Sequence, residues 1–128
     1  MSYHFSKIVD YNFDKAIERV TEELKKEGFG VLTEIDLKET LKKKIDVDFR
    51  RYKILGACNP HFAHKALSAE DKIGTMLPCN VIVQEHDNGK VEVSAVDPVA
   101  SMMAVKNEQL GCIATEVQQK LKNVIANL

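Results

Sequence analysis

The segment Asp87-Asn88-Gly89 constrains the fold of this chain more than any other part of the sequence. Asn-Gly between two apolar runs is a strong short-range signal for a β-hairpin, because both residues accept the positive φ angles of the tight turn. The flanking runs, 79–84 and 91–95, carry valines at alternate positions, so both are predicted to be strands. A hairpin makes two sheet neighbours antiparallel, and this argues against an all-parallel, doubly wound fold.

Polar capping residues divide the rest of the chain into alternating strands and helices. An asparagine or aspartate precedes each segment of helical periodicity, where its side chain can accept from the first free N–H groups. Gly28 is placed to end the first helix, with Phe29 folding back against it. The predicted caps are Asn12, Asp36, Asn59, Asp97 and Asn107; the further strands are 3–9, 30–35 and 52–57, and the helices run from each cap to about residues 27, 44, 67, 103 and 128.

This order of elements predicts a single domain, residues 1–128, of the α+β class. The expected architecture is a two-layer α/β sandwich, with a mixed, mostly antiparallel sheet and helices mainly on one face. Residues 68–77 are expected to be irregular or a short helical turn. Leu55 and Val81 are predicted to be core residues on neighbouring strands.

The charge balance argues against two kinds of partner. The chain has 18 basic and 19 acidic residues, a net charge of −1, and so no global field to attract nucleic acid or an anionic membrane. Trp is absent and Phe and Tyr are few, so platforms for stacking bases are not expected. No apolar run approaches the roughly 20 residues needed to cross a bilayer. We therefore expect neither nucleic acid nor a membrane as a partner.

The cysteine count and the first residues indicate a compartment. Three cysteines form no disulfide framework, and no apolar run of a secretory signal follows Met1. Free thiols in a reducing, cytoplasmic setting are therefore expected. Gly-rich phosphate loops and the common hydrolase motifs are also missing, so the sequence predicts no cofactor and leaves enzymatic activity open.

Nearly all the unusual side chains lie between residues 52 and 83. Cys58-Asn59-Pro60 follows one apolar strand, and Cys79-Asn80 opens the next. If these strands are antiparallel, Cys58 and Cys79 share one edge of the sheet, and a helix N-terminus beside Cys58 can stabilise a thiolate. The two could then be catalytic, with Cys58 as nucleophile and Cys79 resolving. The alternative is that each is a small buried apolar residue, as is expected of Cys112.

A metal site at this edge would combine the two thiols with the histidines of the following helix, since zinc and copper accept both ligand types. The spacing is not that of a standard zinc finger, and both histidines could face solvent. These weak metal candidates are Cys58, His61, His64 and Cys79.

A small ligand pocket is a further interpretation of the same region. The helix starts at Asn59 and Asp97 could close such a pocket, or each side chain could simply cap its own helix. The candidate ligand-binding residues are Cys58, Asn59, Cys79, Asn80 and Asp97.

Four motifs together resemble a known bacterial family. They are Glu34-Ile35-Asp36, the run from Ile54 to Pro60, the run from Leu77 to Val83, and Ala95-Val96-Asp97-Pro98. In this order, and over nearly the whole chain, they are similar to the family called domain of unknown function 302. The resemblance implies a two-layer α/β sandwich like that of the TATA-binding protein, and a homodimer. It implies no reaction and no catalytic residue.

The leading hypothesis is a cytoplasmic, homodimeric binding or interaction module, with any small-molecule ligand placed near the Cys58 and Cys79 strand ends. A thiol-dependent redox protein or enzyme is the alternative, and soft-metal handling with zinc or copper is the third. Two features predict the dimer: a wide apolar band on the last helix, residues 110–128, and apolar strands that a one-sided helix layer would leave open.

Overall fold

The computed structural model describes residues 2–128, which contain five strands and five α-helices. The strands are β1 (His4–Val9), β2 (Gly30–Asp36), β3 (Tyr52–Cys58), β4 (Cys79–Glu85) and β5 (Val91–Val96). The helices are α1 (Phe13–Lys26), α2 (Leu37–Ile45), α3 (Pro60–Ala69), α4 (Pro98–Ser101) and α5 (Glu108–Ala126), with a 3₁₀ helix (Asp71–Met76) after α3.

The strands form one sheet in the order β1-β5-β4-β3-β2, and every pair within the described range is antiparallel. The sheet is thus more uniform than the mixed one expected. A helix between two strands often makes a parallel pair. Here α1 connects β1 and β2, which lie at opposite edges of the sheet and do not pair with each other. α2 connects β2 and β3 at one end of the sheet, where Asp36 pairs with Lys53, so these two strands run antiparallel.

The edge strand β2 carries an irregularity. Val31 pairs with Ala57 and Thr33 with Gly56, so Leu32 is an extra residue that bulges from the ladder. Leu32 is 68% exposed. The bulge leaves the outer edge of the sheet uneven.

The core lies between one face of the sheet and the helices α1 and α5. Leu55, Val81 and Ala95 pair across β3, β4 and β5 in a single row, and all three are completely buried. Val20 and Leu24 of α1 pack into the same cluster. The predicted sandwich is therefore confirmed, as is the prediction that Leu55 and Val81 are neighbouring core residues.

α1 ends as the sequence predicts. Gly28 has a φ of 86°, and its N–H donates to the Lys25 carbonyl at 3.1 Å, while the Phe29 N–H donates to the Leu24 carbonyl at 2.9 Å. These two bonds make a Schellman motif, with Phe29 buried against the helix it follows. The cap turns the chain from α1 into β2.

α5 uses its apolar stripe inside the domain. Its buried residues, which pack on the sheet and on α3 and α4, are Leu110, Ala114, Val117, Leu121, Val124 and Ile125. One of the two reasons for expecting a dimer is thereby removed, because this band is core. The expectation that Cys112 packs inside was wrong: it lies on the exposed side of α5, between the buried positions 110 and 114.

α2 is the least packed of the long helices, since none of its residues is buried. Its predicted cap is present, with Asp36 Oδ1 accepting from the Glu39 N–H at 3.0 Å. Its lysines pair with nearby carboxylates, Lys42 with Asp46 at 2.8 Å and Lys43 with Glu39 at 2.8 Å. The basic stretch around α2 is therefore a solvated helix surface.

Two boundaries differ from the sequence-based expectation. α3 continues to Ala69 rather than ending near residue 67, and the 3₁₀ helix after it is the short helical turn that was one of the two expectations for residues 68–77. α4 ends at Ser101, so Met102 and Met103 form a turn where the chain reverses to enter α5. No helix within residues 2–128 combines the length and the apolar character that crossing a bilayer requires.

Candidate functional site

The two strand-end cysteines lie together, as the antiparallel arrangement requires. Ala57 pairs with Cys79, so Cys58, the last residue of β3, lies beside the first residue of β4. Both line a cavity of about 40 Å³ between the sheet and the helices α3, α4 and α5, and Met102 lines it from the turn after α4. We call this space the sulfur cavity.

The lining of the sulfur cavity is almost entirely apolar and contains no charged side chain. Burial of Cys79, with a smaller contribution from the nearby Cys58 thiol, raises the pKa of the Cys79 thiol to about 11. At neutral pH this thiol is protonated and therefore a weak nucleophile. No His, Asp, Glu or Lys lines the cavity to take its proton. The arrangement thus lacks the activating groups that a catalytic or redox thiol pair would use.

The size of the sulfur cavity also limits its ligands. Sites for small organic molecules usually enclose about 300–1,000 Å³. A volume of about 40 Å³ admits only groups of the size of one or a few water molecules. As folded, the cysteine edge does not hold a metabolite.

Asn59, the third candidate residue at this edge, links two helices. Its Oδ1 accepts from the Phe62 N–H at 3.5 Å, which caps α3, and its Nδ2 donates to the Glu27 carbonyl at 3.3 Å. Pro60 occupies the first helical position, where the absent N–H costs nothing. Because both ends of the buried Asn59 amide are used, its role here is to join the end of α1 to the start of α3.

Asn80 and Asp97 do not line the sulfur cavity. Asn80 follows Cys79 on β4, so its side chain lies on the opposite face of the sheet, where it is exposed. The Asp97 carboxylate accepts from the Val99 N–H at 3.0 Å and from Gln118 Nε2 at 3.1 Å, and so fixes α4 to α5. The five candidate ligand residues therefore do not form a single site.

The two histidines of the metal hypothesis point to solvent. His61 and His64 are both exposed on α3. Among residues 2–128, no three His, Cys, Asp or Glu side chains come close enough together to hold a metal ion. The proposed combination of two thiols with two histidines is not assembled in this fold.

A second recess lies on the face of the sheet opposite α1 and α5. It is a shallow groove of about 420 Å³, which we call the open-face groove, lined mainly by residues of β1, β3, β4 and β5. One cross-strand row on this face runs through all five strands: Ser6, Ser94, Ile82, Ile54 and Ile35. Ser6 and Ser94 share a hydrogen bond of 2.7 Å between their hydroxyl groups.

Charged groups are scarce on the open face. Glu92 lines the groove and pairs with His86, with 3.0 Å between Oε1 and Nε2. At the rim, Arg50 Nε donates to Gln84 Oε1 at 3.0 Å. The rest of the groove lining presents amides, hydroxyls, aliphatic side chains, the His4 imidazole and the rings of Tyr3 and Tyr52.

Of the residues lining this groove, Asn80 is the one that the sequence analysis singled out. Strand alternation also predicts that Ile82 of the groove, and Ile54 beside it on the same face, point away from the core residues Val81 and Leu55. Apolar residues at outward positions of a two-layer sandwich indicate a surface that is covered by something else.

The fold and these two recesses define a two-layer α+β sandwich without an assembled catalytic or metal centre among its described residues. The model of the family named Domain of unknown function DUF302 matches residues 5–128, so the chain belongs to this family, as its motifs predicted. It is similar to a crystal structure of an uncharacterized conserved protein DUF302 from Bacillus stearothermophilus, with 29% identity over 98% of both chains and a TM-score of 0.91. No curated protein matches the sequence.

Proposed function

We propose that this protein is a homodimeric binding module in which the open sheet faces of two copies pack against each other. The observation that carries the proposal is the row Ile35, Ile54 and Ile82 on a face that neither α1 nor α5 covers. Ile35 is 46% exposed, and Ile54 and Ile82 are only half-buried. A monomer leaves this apolar row in contact with water, which disfavours the free monomer.

The electrostatics of the open face suit a second copy of the same chain. In a two-fold dimer the same surface of both copies forms the interface, so a face with many charges of one sign would meet an identical face and repel it. The groove has no Lys or Arg in its lining, and its one carboxylate, Glu92, is hydrogen-bonded to His86. Depletion of charged residues is also typical of the buried centre of protein interfaces.

The area of the open face allows an interface of threshold size. Seven-residue strands such as β4 are about 23 Å long, and five strands at the usual spacing span about 24 Å, so the face covers roughly 500 Å². Two copies would bury about 1,000 Å² in total, which is the threshold that a biological interface should reach and lies below the range of about 1,200–2,000 Å² of tight ones.

A small neutral molecule is a second candidate ligand, and the open-face groove favours it over the cysteine edge. Its volume of about 420 Å³ lies within the usual range for small-molecule sites. Ser6, Asn80, Gln84 and Ser94 supply hydroxyl and amide groups, which suits a polar, uncharged ligand. Such a ligand would lie between the two copies of the proposed dimer.

Two further expectations accompany this proposal. Nucleic acid is not a proposed partner, because the lining of the open-face groove contains no Lys or Arg to neutralise phosphates. Three free cysteines suit a reducing compartment, so we place the module in the cytoplasm.

Sedimentation equilibrium at micromolar concentration tests the dimer. The wild-type chain is expected at twice its mass of 14.4 kDa. Ile82→Asp, which places a carboxylate in the middle of the face of both copies, is expected to sediment as a monomer with an unchanged circular dichroism spectrum. Ile45→Asp on the outer part of α2, where Ile45 is 62% exposed, is the matched control and is expected to remain dimeric. A wild-type chain of monomer mass would reject the proposal.

A further inference from the structure

One cross-strand row divides the open face into two unlike parts, and we call it the middle row: Ser6, Ser94, Ile82, Ile54 and Ile35. On β4, β3 and β2 this row has an isoleucine on each strand, whereas on β1 and β5 it has a serine on each. The row crosses the strands near their middle, since Ile82 lies between Asn80 and Gln84 on the same face of β4. The unequal division restricts how two open faces can pack.

We infer that the two-fold axis of the proposed dimer runs across the strands, along the middle row, so that this row faces the same row of the partner subunit. The inference rests on the proposed dimer and adds its geometry. Each strand then lies over the same strand of the other copy. Because rotation about this axis exchanges positions on the two sides of the row, Asn80 faces Gln84 of the partner subunit.

Only a few directions of the axis are compatible with a full overlap of two open faces. Packed sheets keep their strands within about 30° of each other or cross them at nearly 90°. β4 is the central strand of the five, so full overlap requires a two-fold axis through the middle of β4. This axis can run across the strands, along β4, or diagonally between these directions, and the diagonal one gives crossed strands.

Apolar contacts distinguish the first two directions. With the axis across the strands, each isoleucine of the middle row faces the same isoleucine of the other copy. An axis along β4 instead lays β3 over β5 and β2 over β1. Ile54 then faces Ser94 of the partner subunit, and Ile35 faces the partner's Ser6. That arrangement places hydroxyl groups against apolar side chains, which is less favourable than contact between apolar groups.

Two further arrangements fail for different reasons. A diagonal axis lays the middle row over β4 of the other copy, so Ile54 lies beside the polar Asn80 or Gln84 of the partner subunit. An axis along β3 allows the isoleucines to meet, but only β2, β3 and β4 then overlap. Three of the five strands bury about 600 Å² in total, below the roughly 1,000 Å² that a biological interface should reach. The axis across the strands combines full overlap with apolar contacts.

The amides on either side of the middle row also suit this axis. Gln84 Oε1 accepts from Arg50 Nε at 3.0 Å, so Gln84 Nε2 can donate to Oδ1 of the partner's Asn80. The two-fold axis makes this pair occur twice. A hydrogen bond between the amides offsets the cost of removing them from water.

The carboxylate of the groove also meets a polar group. Glu92 and Val96 lie on opposite sides of the middle row on β5, so Glu92 faces the partner's Val96. His4 pairs with Val96 in the sheet, so Glu92 also lies beside the partner's His4. His4 Nδ1 contacts the Ser6 hydroxyl at 2.7 Å, which leaves Nε2 as the ring nitrogen that can donate to the carboxylate.

Chemical cross-linking of single cysteines tests the direction of the axis. Cys58→Ser and Cys112→Ser together leave the buried Cys79 as the only native cysteine. Ile82→Cys is then added in one variant, and sheets about 10 Å apart place facing thiols within reach of a short bis-maleimide. Ile82 lies on each of the axes through the middle of β4, so this variant is expected to link for any of them and reports the dimer alone.

Ser6→Cys and Ile35→Cys, made separately in the same background, report the axis because β1 and β2 are opposite edges of the sheet. Each variant alone is expected to link to its own copy. The expected yield is at least about tenfold above the control, because facing thiols in a dimer react at an effective concentration of roughly millimolar. The control is Cys58→Ser alone, whose exposed Cys112 lies on α5, on the other side of the sheet.

The other axes predict different products. An axis along β4 would link Ser6→Cys only to Ile35→Cys, after the two variants are refolded together. That result, or linkage of neither edge variant, would overturn the inferred axis and leave the dimer standing, provided that Ile82→Cys links. An unlinked Ile82→Cys chain of monomer mass would reject the dimer and the axis together. If circular dichroism shows that one edge variant is unfolded, the other edge variant decides.

Discussion

Burial of Cys79 couples the stability of the fold to pH. Its thiol has a pKa of about 11 in the folded chain, against 9.0 when free in solvent, so the unfolded chain ionises first as the pH rises. The stability from this residue is therefore complete below pH 9 and is lost between pH 9 and 11, by about 2–3 kcal/mol. Denaturant unfolding from pH 8 to 11 should show this loss in the wild type beyond that of Cys79→Ala. If the free energy of unfolding fell equally with pH in the wild type and in Cys79→Ala, this prediction would be wrong.

Gly56 is fixed by the close approach of its neighbours on the open face. A Cβ atom at this position would collide with Thr33 Oγ1 and with the ring of Pro78. We expect Gly56→Ala to destabilise the fold by about 1–3 kcal/mol, because the neighbouring strand and Pro78 must shift.

Gly111 provides the opposite case for the same substitution. It lies in α5, and a Cβ there meets no atom within 4 Å. Gly111→Ala should stabilise the fold by about 0.5–1 kcal/mol through helix propensity. Urea unfolding measures the change in the free energy of unfolding for both variants. If Gly56→Ala were stabilised as much as Gly111→Ala, the crowding at Gly56 would be absent.

Single residues show how far the sequence determines the site. The juxtaposition of Cys58 and Cys79 follows from two adjacent antiparallel strands, and the strand pattern predicts it. Met102 reaches the same cavity only through the turn after α4, and no periodicity in the sequence indicates that turn. Cys112 lies among apolar helical positions but on the outer side of α5, because Leu110 and Ala114 define the inner side.

Among the elements, α1 and α2 differ most in what they contribute. Leu24 of α1 is fully buried in the core, whereas Leu41 of α2 is only half-buried, on a helix without buried residues. Leu24→Ala is expected to lower the free energy of unfolding by about 2–5 kcal/mol, and Leu41→Ala by less than about 1 kcal/mol. Chemical unfolding of both variants measures the difference. Equal losses would mean that α2 is buried in solution, for instance against a partner.

The elements themselves could be predicted well because their ends are encoded locally. Asn12, Asp36, Asn59 and Asp97 each accept a hydrogen bond from the helix they precede, as expected from their positions. The short α4 was predicted too long, since Asp97-Pro98 signals only a start. The end of α4 depends on the reversal into α5, which is a tertiary constraint.

For the molecule as a whole, self-association should appear in thermal stability. If two copies bind in the folded state alone, the midpoint of thermal unfolding rises with protein concentration. We expect a rise for the wild type between about 1 and 100 μM and a constant midpoint for Ile82→Asp. Differential scanning fluorimetry measures both, and a wild-type midpoint independent of concentration would contradict the dimer.

The overall architecture was accessible from the sequence because the hairpin signal and the helix caps together restrict the topology. The order of the strands could not be predicted. α1 connects the two edge strands of the sheet, and nothing in the sequence of α1 indicates that β1 and β2 lie at opposite edges. The open face was foreseen only in part, since strand alternation identifies Ile54 and Ile82 as outward residues without showing what they contact.

The bulge at Leu32 has a consequence for how this protein can aggregate. A regular, flat edge strand can add strands from other molecules without limit, which produces fibres. In β2 the extra residue disrupts the ladder between Val31 and Thr33, and the exposed carboxylates of Glu34 and Asp36 lie on the same edge strand. The irregular ladder and these carboxylates therefore disfavour growth through β2, while the open face stays free for the single pairing proposed above. Deleting Leu32 would restore the regular edge and make insoluble, open-ended polymers the expected product.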